Sequence, residues 1–261
     1  MRKFPAEFED MLSPRGRRLL SGASLLAGAL ANPRRRFLAA DGLIDPARVE
    51  AGRLLLERHL LPHLARIDRP IPPEATWEMT ENYGELLPKT ARVSTAVFDR
   101  RRGAAWEAAE KTGLAAMLRS ASFRGFAEAL AGRPLARRWG IQALCYGPGD
   151  YAGPHNDHHP EEPEARQGYV DIHLTLTSPA VAQQFLVYAV SGHFSRVETT
   201  ARSGRITAYR LPLWHYTTPL VAKRGREAEA RRWVLLGTFL FAPSPPVNLP
   251  PRPPSGGRGS G

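Results

Sequence analysis

Apolar and polar positions repeat with a helical period in two long stretches of the first half of the chain. Residues 46–67 place apolar side chains at helical spacing among Arg and Glu, which predicts an amphipathic helix bent or interrupted at Pro62. Residues 104–131 repeat this pattern in two pieces, and Gly132 ends the second piece. The first part of the chain is therefore expected to be mainly helical, with one short strand at residues 93–98.

The second half changes to short apolar runs separated by Gly, Pro and Ser, a pattern typical of strands joined by turns. Five such runs occupy residues 140–146, 169–177, 184–190, 205–211 and 232–241. Many short strands with frequent turn residues indicate a sandwich or a jelly roll. The pattern therefore predicts helices first and an antiparallel β core after them.

These patterns divide the chain into three parts. A mainly helical amino-terminal support region covers residues 1–137, and a strand-rich core covers residues 138–242. Residues 243–261 are rich in Pro and then in Gly and Ser. Because this composition cannot bury an apolar core, we predict a disordered tail.

The charge balance raises the question of a polyanionic partner. The sequence has 36 basic and 25 acidic residues, a formal net charge of +11, and only four of the basic residues are Lys. The densest arginine groups, at residues 15–18, 34–36 and 100–102, lie outside the predicted core and are not interleaved with aromatic residues. The sequence therefore argues against nucleic acid as a partner. It favours solvated arginine groups, with an acidic substrate as the next interpretation of the charge.

The cysteine count and the apolar runs bear on the compartment. A single cysteine, Cys145, leaves no intramolecular disulfide and is expected to pack in the core. No apolar run reaches the length of a membrane span, and we expect a cytoplasmic protein. Residues 17–31 are similar to a twin-arginine export signal, but preceding acidic residues and two internal glycines favour a retained helix.

The most informative segment is the Gly-rich turn that follows the predicted strand ending at Tyr146. His155 and Asp157 lie two positions apart, so their side chains point to the same side of an extended segment and can bind one metal ion. His215 comes 60 residues after His155 on another strand-like segment. Two imidazoles and one carboxylate on one face leave three octahedral positions open, as in non-haem Fe(II) oxygenases. The sequence therefore predicts a metal site at these three residues.

With this triad, the sequence resembles the Fe(II)/2-oxoglutarate-dependent dioxygenases, in particular their prolyl-hydroxylase-like branch. The resemblance covers residues 139–242 and also rests on the Tyr146 strand and on the apolar run that begins at Arg232. It implies an α+β fold with a double-stranded β-helix (jelly-roll) core buttressed by the amino-terminal helices. It further implies a hydroxylase that uses Fe(II), 2-oxoglutarate and O2 and releases succinate and CO2, with ascorbate as a candidate stimulant.

The resemblance assigns two cosubstrate contacts. Arg232 would bind the distal carboxylate of 2-oxoglutarate, a task that suits the planar guanidinium, and Tyr146 would donate its hydroxyl to a 2-oxoglutarate carboxylate. The interval from His215 to Arg232 is 17 residues, longer than the family pattern. Arg231 and Arg224 therefore remain alternatives for the carboxylate contact.

The sequence does not assign a single role to the other polar residues near the predicted core. His173 alternates in step with Asp171 on a core strand, so it is either a contact of substrate or cosubstrate or an ordinary core histidine. His158 and His159 follow the His-x-Asp pair in a charged stretch and are expected to be solvated. Residues 183–186 replace a Gly-Gly-Glu-Leu segment that relatives often carry, so the pocket wall should differ there.

The acidic ligand Asp157 favours hydroxylation over halogenation, since related halogenases have a small residue at this position. Desaturation and cyclisation stay open, as does the choice among a free amino acid, a peptidyl residue and a small molecule.

The nucleic-acid-repair branch carries a second arginine where this chain has Thr238, so the feature of that branch is absent. A cupin-like metalloenzyme that does not use 2-oxoglutarate and a non-catalytic binding protein on the same scaffold are the alternative functions. The sequence does not predict an oligomeric state.

Overall fold

The computed structural model describes residues 3–71, 90–157 and 168–242. Within these residues the helices are α1 (Pro14–Leu20), α2 (Pro46–His59), α3 (Ala104–Thr112), α4 (Leu114–Leu118) and α5 (Ala121–Ala131). The strands are β1 (Phe37–Ala40), β2 (Ala65–Pro70), β3 (Thr90–Val97), β4 (Leu135–Tyr146), β5 (Tyr151–His155), β6 (Tyr169–Thr177), β7 (Val181–Gln183), β8 (Phe185–Val190), β9 (His193–Thr199), β10 (Ile206–Arg210), β11 (His215–Thr217), β12 (Val221–Ala222) and β13 (Arg232–Phe241). The predicted tail, residues 243–261, lies outside the described residues.

Local signals set the helix ends. The side chains of Asp45 and Ser120 accept backbone N–H groups at the starts of α2 and α5. Gly132 ends α5 with a φ of +68°, a conformation that glycine adopts without strain. Gly113, with a φ of +81°, separates α3 from α4. The predicted helical region at residues 104–131 therefore contains three helices rather than two.

Two predicted helices are shorter than the sequence pattern indicates. α2 ends at His59 and is followed by a 3-10 turn, and residues 65–67 belong to strand β2, which pairs with β3. Tertiary pairing thus overrides the helical spacing of that segment. α1 ends at Leu20, and residues 21–31 form turns rather than the expected helix, because Gly22 and Gly28 have positive φ angles that interrupt a helix.

Two antiparallel sheets face each other across the strand-rich part of the chain. One contains β10, β6, β13 and β4 in that order, and the other contains β5, β11, β8 and β9. Strand β3 pairs with both β4 and β5 and so joins the two sheets along one side, while β1 extends the first sheet beside β10. This is the predicted α+β jelly roll, with strands from the amino-terminal part of the chain added to its sheets.

The central strand β13 separates the apolar core from the interior of the jelly roll. Its side chains alternate, so Trp233, Leu235 and Phe239 are buried in the core that the helices cover. The aromatic ring of Phe239 contacts that of Phe123 on α5, with the ring centroids 5.4 Å apart. The opposite face of the strand, beginning at Arg232, lines the interior cavity. One face of β13 therefore stabilises the fold and the other is available for binding.

None of the helices in the described ranges is both long and apolar enough to span a membrane.

Several strand ends differ from the sequence pattern by a few residues. β4 begins at Leu135 rather than at residue 140, and β10 covers residues 206–210 of the predicted run.

Candidate metal centre

The three predicted metal ligands meet at one point between the two sheets. The last residue of β5, His155, pairs with the first residue of β11, His215, and their ring centroids are 4.4 Å apart. Asp157 lies two residues beyond β5, with Oδ1 3.5 Å from His155 Nε2 and Oδ2 3.6 Å from His215 Nε2. One candidate ligand atom from each residue lies within 4.8 Å of the others. This spacing suits three ligands of one metal ion.

Backbone carbonyls orient both imidazoles for metal binding. His155 Nδ1 lies 2.6 Å from the Gly153 carbonyl oxygen, and His215 Nδ1 lies 2.9 Å from the Leu213 carbonyl oxygen. Because a carbonyl only accepts, each Nδ1 carries the proton and each Nε2 presents its lone pair to the site. Burial, followed by the proximity of His155, lowers the pKa of His215, which keeps this ring neutral. Two imidazoles that present Nε2 and a carboxylate are a donor set that fits Fe(II).

A cavity of about 450 Å³ lies between the sheets, and the triad forms part of its wall. Along β13 the residues that face the cavity are Arg232, Val234, Leu236 and Thr238, each two positions from the next. The cavity thus has a basic end at Arg232, an apolar middle and a polar end at Thr238.

Arg232 is a buried cation at one end of the cavity. It is only 3% exposed, and its guanidinium carbon lies 5.1 Å from the centroid of the Tyr146 ring. Nη1 donates a 3.0 Å hydrogen bond to Gln184 Oε1, whereas Nε is buried without a partner in the described ranges. Burial lowers the pKa of Arg232, and no described carboxylate forms an ion pair with it. A buried guanidinium of this kind is a suitable partner for the carboxylate of a ligand.

Gln184 orients Arg232, a role that was not predicted from the sequence. Its amide nitrogen donates to the carbonyl oxygens of Asp150 at 3.1 Å and Thr218 at 3.0 Å, which directs Oε1 toward Arg232. The side chain is fully buried. The only signal in the sequence was the departure from the family pattern at residues 183–186, which did not reveal the contact.

Polar atoms without partners lie along the inner face of β6, beside β13. Asp171 Oδ1, His173 Nε2 and Thr177 Oγ1 are all buried and have no hydrogen-bond partner in the described part of the chain. Burial lowers the pKa of His173 to about 3, so this ring is neutral, and burial followed by Asp157 raises the pKa of Asp171 well above its usual value. The first two residues line the cavity, which is therefore shaped to receive a polar ligand.

Tyr146 and Tyr209 complete the aromatic part of the cavity wall. Burial raises the pKa of each hydroxyl, and Thr217 shares a side-chain hydrogen bond with Tyr146. The Tyr209 ring lies 4.5 Å from that of His173 and 5.1 Å from that of His215, measured between centroids. Tyr146 and His173 thus both face the cavity, and their contacts with cosubstrate or substrate stay predictions.

The remaining candidates from the sequence lie elsewhere. Arg231 and Arg224 are absent from the cavity wall, and Arg231 Nη1 donates to the Ala230 carbonyl oxygen at 3.1 Å. Burial raises the pKa of Cys145 to about 12, so its thiol is not a nucleophile at neutral pH. His158 and His159 fall outside the described residues.

No family model and no curated protein matches this sequence. Solved structures do share its fold. An oxidoreductase of the 2OG-Fe(II) oxygenase family from Burkholderia pseudomallei is 12% identical, with a TM-score of 0.52 over 82% of this chain and 89% of that chain. The epimerase SnoN in complex with Fe3+, alpha-ketoglutarate and nogalamycin RO is 15% identical, with a TM-score of 0.51 over 87% and 84%. A prolyl 4-hydroxylase from Phytophthora capsici is 14% identical, with a TM-score of 0.51 over 92% and 70%.

At such low sequence identities, the similarity to these structures establishes a shared fold. The site itself comes from this chain's own residues, since the His-x-Asp pair and the distal histidine converge in the cavity. The chain therefore has the double-stranded β-helix fold of the Fe(II)- and 2-oxoglutarate-dependent oxygenases, prolyl 4-hydroxylases among them, and carries a candidate iron site at His155, Asp157 and His215.

Proposed function

We propose that this protein is a non-haem Fe(II)- and 2-oxoglutarate-dependent oxygenase that hydroxylates an amino acid, a peptidyl residue or a small molecule. The observation that carries the proposal is the cavity that joins the His155, Asp157 and His215 cluster to the buried guanidinium of Arg232. The shared fold and the SnoN complex with iron and alpha-ketoglutarate support it. The free, buried thiol of Cys145 suits a reducing compartment, and we place the enzyme in the cytoplasm as part of this proposal.

The charged and metal-binding residues of the site have distinct roles in this function. His155 and His215 would hold Fe(II) through Nε2, and Asp157 would hold it through a carboxylate oxygen. Arg232 would bind the distal carboxylate of 2-oxoglutarate while Gln184 keeps its Nη1 in place. Fe(II), bound with 2-oxoglutarate and O2, supplies an oxidant for C–H bonds as the cosubstrate becomes succinate and CO2. The apolar side chains of Val234 and Leu236 exclude water between the two ends.

Hydroxylation is the outcome that we propose for the substrate. An acidic residue at position 157 fills a coordination position that a halogenase would leave for chloride. The polar residues Asp171 and Thr238 line the end of the cavity away from Arg232, where they can hold a substrate by hydrogen bonds. Mass analysis of the product tests this choice: hydroxylation adds one oxygen atom, whereas desaturation, cyclisation or epimerisation adds none.

The burial of Arg232 favours this function over the two alternatives. A cupin-like metalloenzyme without 2-oxoglutarate does not require a buried arginine beside the metal ligands, and neither does a non-catalytic binding protein. A buried cation without a described carboxylate partner is costly unless a ligand supplies the opposite charge. A dicarboxylate cosubstrate meets that requirement.

Succinate release in air with Fe(II), 2-oxoglutarate and ascorbate tests the proposal. Arg232→Ala should raise the 2-oxoglutarate concentration for half-maximal succinate release about tenfold or more, because a charge-assisted bidentate contact is lost. The neighbouring Arg231→Ala is the matched control, since it removes the same charge outside the cavity, and it should have less than about a twofold effect. Wild-type protein that releases no succinate with substrate candidates from all three classes, or equal effects of the two variants, would contradict the proposal.

A further inference from the structure

A second concave surface lies beside the cavity that contains the candidate iron site, which we call the iron cavity. Its volume is about 720 Å³, and its charged wall consists of Arg101, Arg119, Arg137 and Arg138, with Asp99. We call this surface the arginine groove. Its charged residues come from the segment after β3, from the end of α4 and from the first half of β4, and residues of β6 and β13 complete the wall.

The arginine groove adjoins the iron cavity. Tyr169 and Thr238 line both of them. On β4, Gln142 lines the cavity and Gly140 lines the groove, and the two residues are roughly 7 Å apart on the same face of the strand. A Cβ atom at Gly140 would meet nothing closer than Thr238 Cβ at 3.8 Å. Gly140 therefore places no side chain between the groove and the cavity.

The groove contains more basic than acidic side chains, with four arginines against Asp99. None of the four arginines forms an ion pair with a carboxylate of residues 3–71, 90–157 or 168–242. Arg119 is held in place because its Nη2 donates to the Phe98 carbonyl oxygen at 2.8 Å and its guanidinium carbon lies 5.6 Å from the Trp106 ring centroid. Its Nε is buried without a described partner. Burial, and then repulsion from Arg101, lowers the pKa of Arg119.

Several arginines in other parts of the chain are paired with carboxylates. Arg53 contacts Glu50 and Glu57, Arg205 contacts Asp41 and Glu198, and Arg226 contacts Glu229. Scattered, solvated arginines need no special explanation. Four guanidinium groups without an ion pair in the described ranges outnumber the carboxylate of Asp99 around this concave surface, so they raise the local positive potential and attract an anion.

We propose that the arginine groove binds a phosphate or carboxylate group of a small-molecule substrate whose other end enters the iron cavity past Gly140. For the reaction in the cavity, this inference rests on the proposed function. The four arginines of the groove line one concave surface with the dimensions of a ligand pocket, which fits a small anion better than a polymer that needs an extended basic track. The substrate class is thus an anionic small molecule.

Calorimetric titration of inorganic pyrophosphate into the metal-free protein at low salt tests the groove directly. The double variant Arg101→Ala/Arg138→Ala should bind the probe at least about tenfold more weakly than wild type. The matched control is Arg48→Ala/Arg58→Ala, which removes two exposed charges from α2, and it should bind within about twofold of wild type. All four arginines of these variants are exposed, so both proteins should keep the thermal midpoint of wild type.

Several outcomes would overturn the inference. Equal weakening in the two double variants would assign binding to net charge alone, and loss of binding in Arg232→Gln would place pyrophosphate in the iron cavity. Tighter, groove-dependent binding of a single-stranded oligonucleotide or an acidic peptide would replace the small molecule by a polymer. The titration needs neither iron nor 2-oxoglutarate, so it can succeed when the succinate assay fails, and each proposal can fail by itself.

Discussion

At the residue scale, hydrogen bonds orient the candidate site before any ligand binds. Carbonyl oxygens hold the rings of His155 and His215, and Gln184 holds the guanidinium of Arg232. A site oriented in this way loses less conformational entropy when it binds iron and cosubstrate. The geometry thus supports a preformed rather than an induced site.

Gln184→Ala should weaken 2-oxoglutarate binding about fivefold to twentyfold while Fe(II) binding stays close to wild type, because the hydrogen bond that orients Arg232 is lost. Equilibrium titrations of Fe(II) alone and then of 2-oxoglutarate measure the two affinities separately. The exposed neighbour Gln183→Ala is the control and should bind both as wild type does. Equal losses in the two variants would remove Gln184 from the cosubstrate site.

The cluster of candidate metal ligands could be predicted from the sequence, whereas the position of Gln184 could not. The spacing of His155 and Asp157 carries information within three residues, because alternation along an extended segment places both on one side. Gln184 instead contacts Asp150, Thr218 and Arg232, which are distant in the chain. Only the fold brings these groups together.

At the element scale, the turn between β4 and β5 positions the segment that carries the first two ligands. Asp150 is 5% exposed, accepts the Gly147 N–H at 2.8 Å and binds both Nη atoms of Arg66 at 2.7 and 2.6 Å. Its backbone N–H and carbonyl also make hydrogen bonds, to Gly147 and Leu220. The turn is therefore tied to β2 and to the segment before β12.

Asp150→Ala should lower the free energy of unfolding by about 1–3 kcal/mol, since the Gly147 N–H and Arg66 lose their acceptor. Urea denaturation followed by circular dichroism gives this value. The control is Asp68→Ala, which breaks the exposed ion pair with Arg92 and should cost less than about 1 kcal/mol. An Asp150 variant as stable as the Asp68 variant would contradict this role of the turn.

Strand β13 tolerates no side chain where it meets α5. A Cβ atom at Gly237 would lie 2.6 Å from Phe123 Cε1 and 2.7 Å from Phe239 Cε2, both well inside contact distance. Gly237→Ala should therefore destabilise the fold by about 1–3 kcal/mol, measured by urea denaturation. Gly140→Ala on the paired strand β4 has open space and should be neutral or slightly stabilising. Equal stabilities would show that the core can repack around the new methyl group.

The element boundaries show what a sequence pattern leaves undetermined. The long apolar runs of β6 and β13 were predicted with the bounds that the structure has. Strands β5 and β11 contain only five and three residues, too few for a periodic pattern, yet they carry His155 and His215. Residues 65–67 have helical spacing but pair with β3, because tertiary contacts outweigh local preference.

At the scale of the whole molecule, the jelly roll explains why one chain can hold both a stable core and a polar cavity. Helices cover the outer face of the β6, β13 and β4 sheet, so the inner face is free to carry Arg232, His173 and Asp171. The fold class was predictable from helices followed by short strands. The arginine groove was not, since Arg101, Arg119 and Arg138 come from three separate segments that the sequence does not place together.

Anaerobic titration of Fe(II) and 2-oxoglutarate, followed by visible absorption, tests the central claim most directly. We expect a weak metal-to-ligand charge-transfer band in wild-type protein that requires both additions. The band should be absent in Asp157→Ala and in His215→Ala, and it should need about tenfold more 2-oxoglutarate in Arg232→Ala than in Arg231→Ala. A wild-type protein without the band at saturating iron, or an Asp157→Ala variant with an unchanged band, would contradict the assignment of the site.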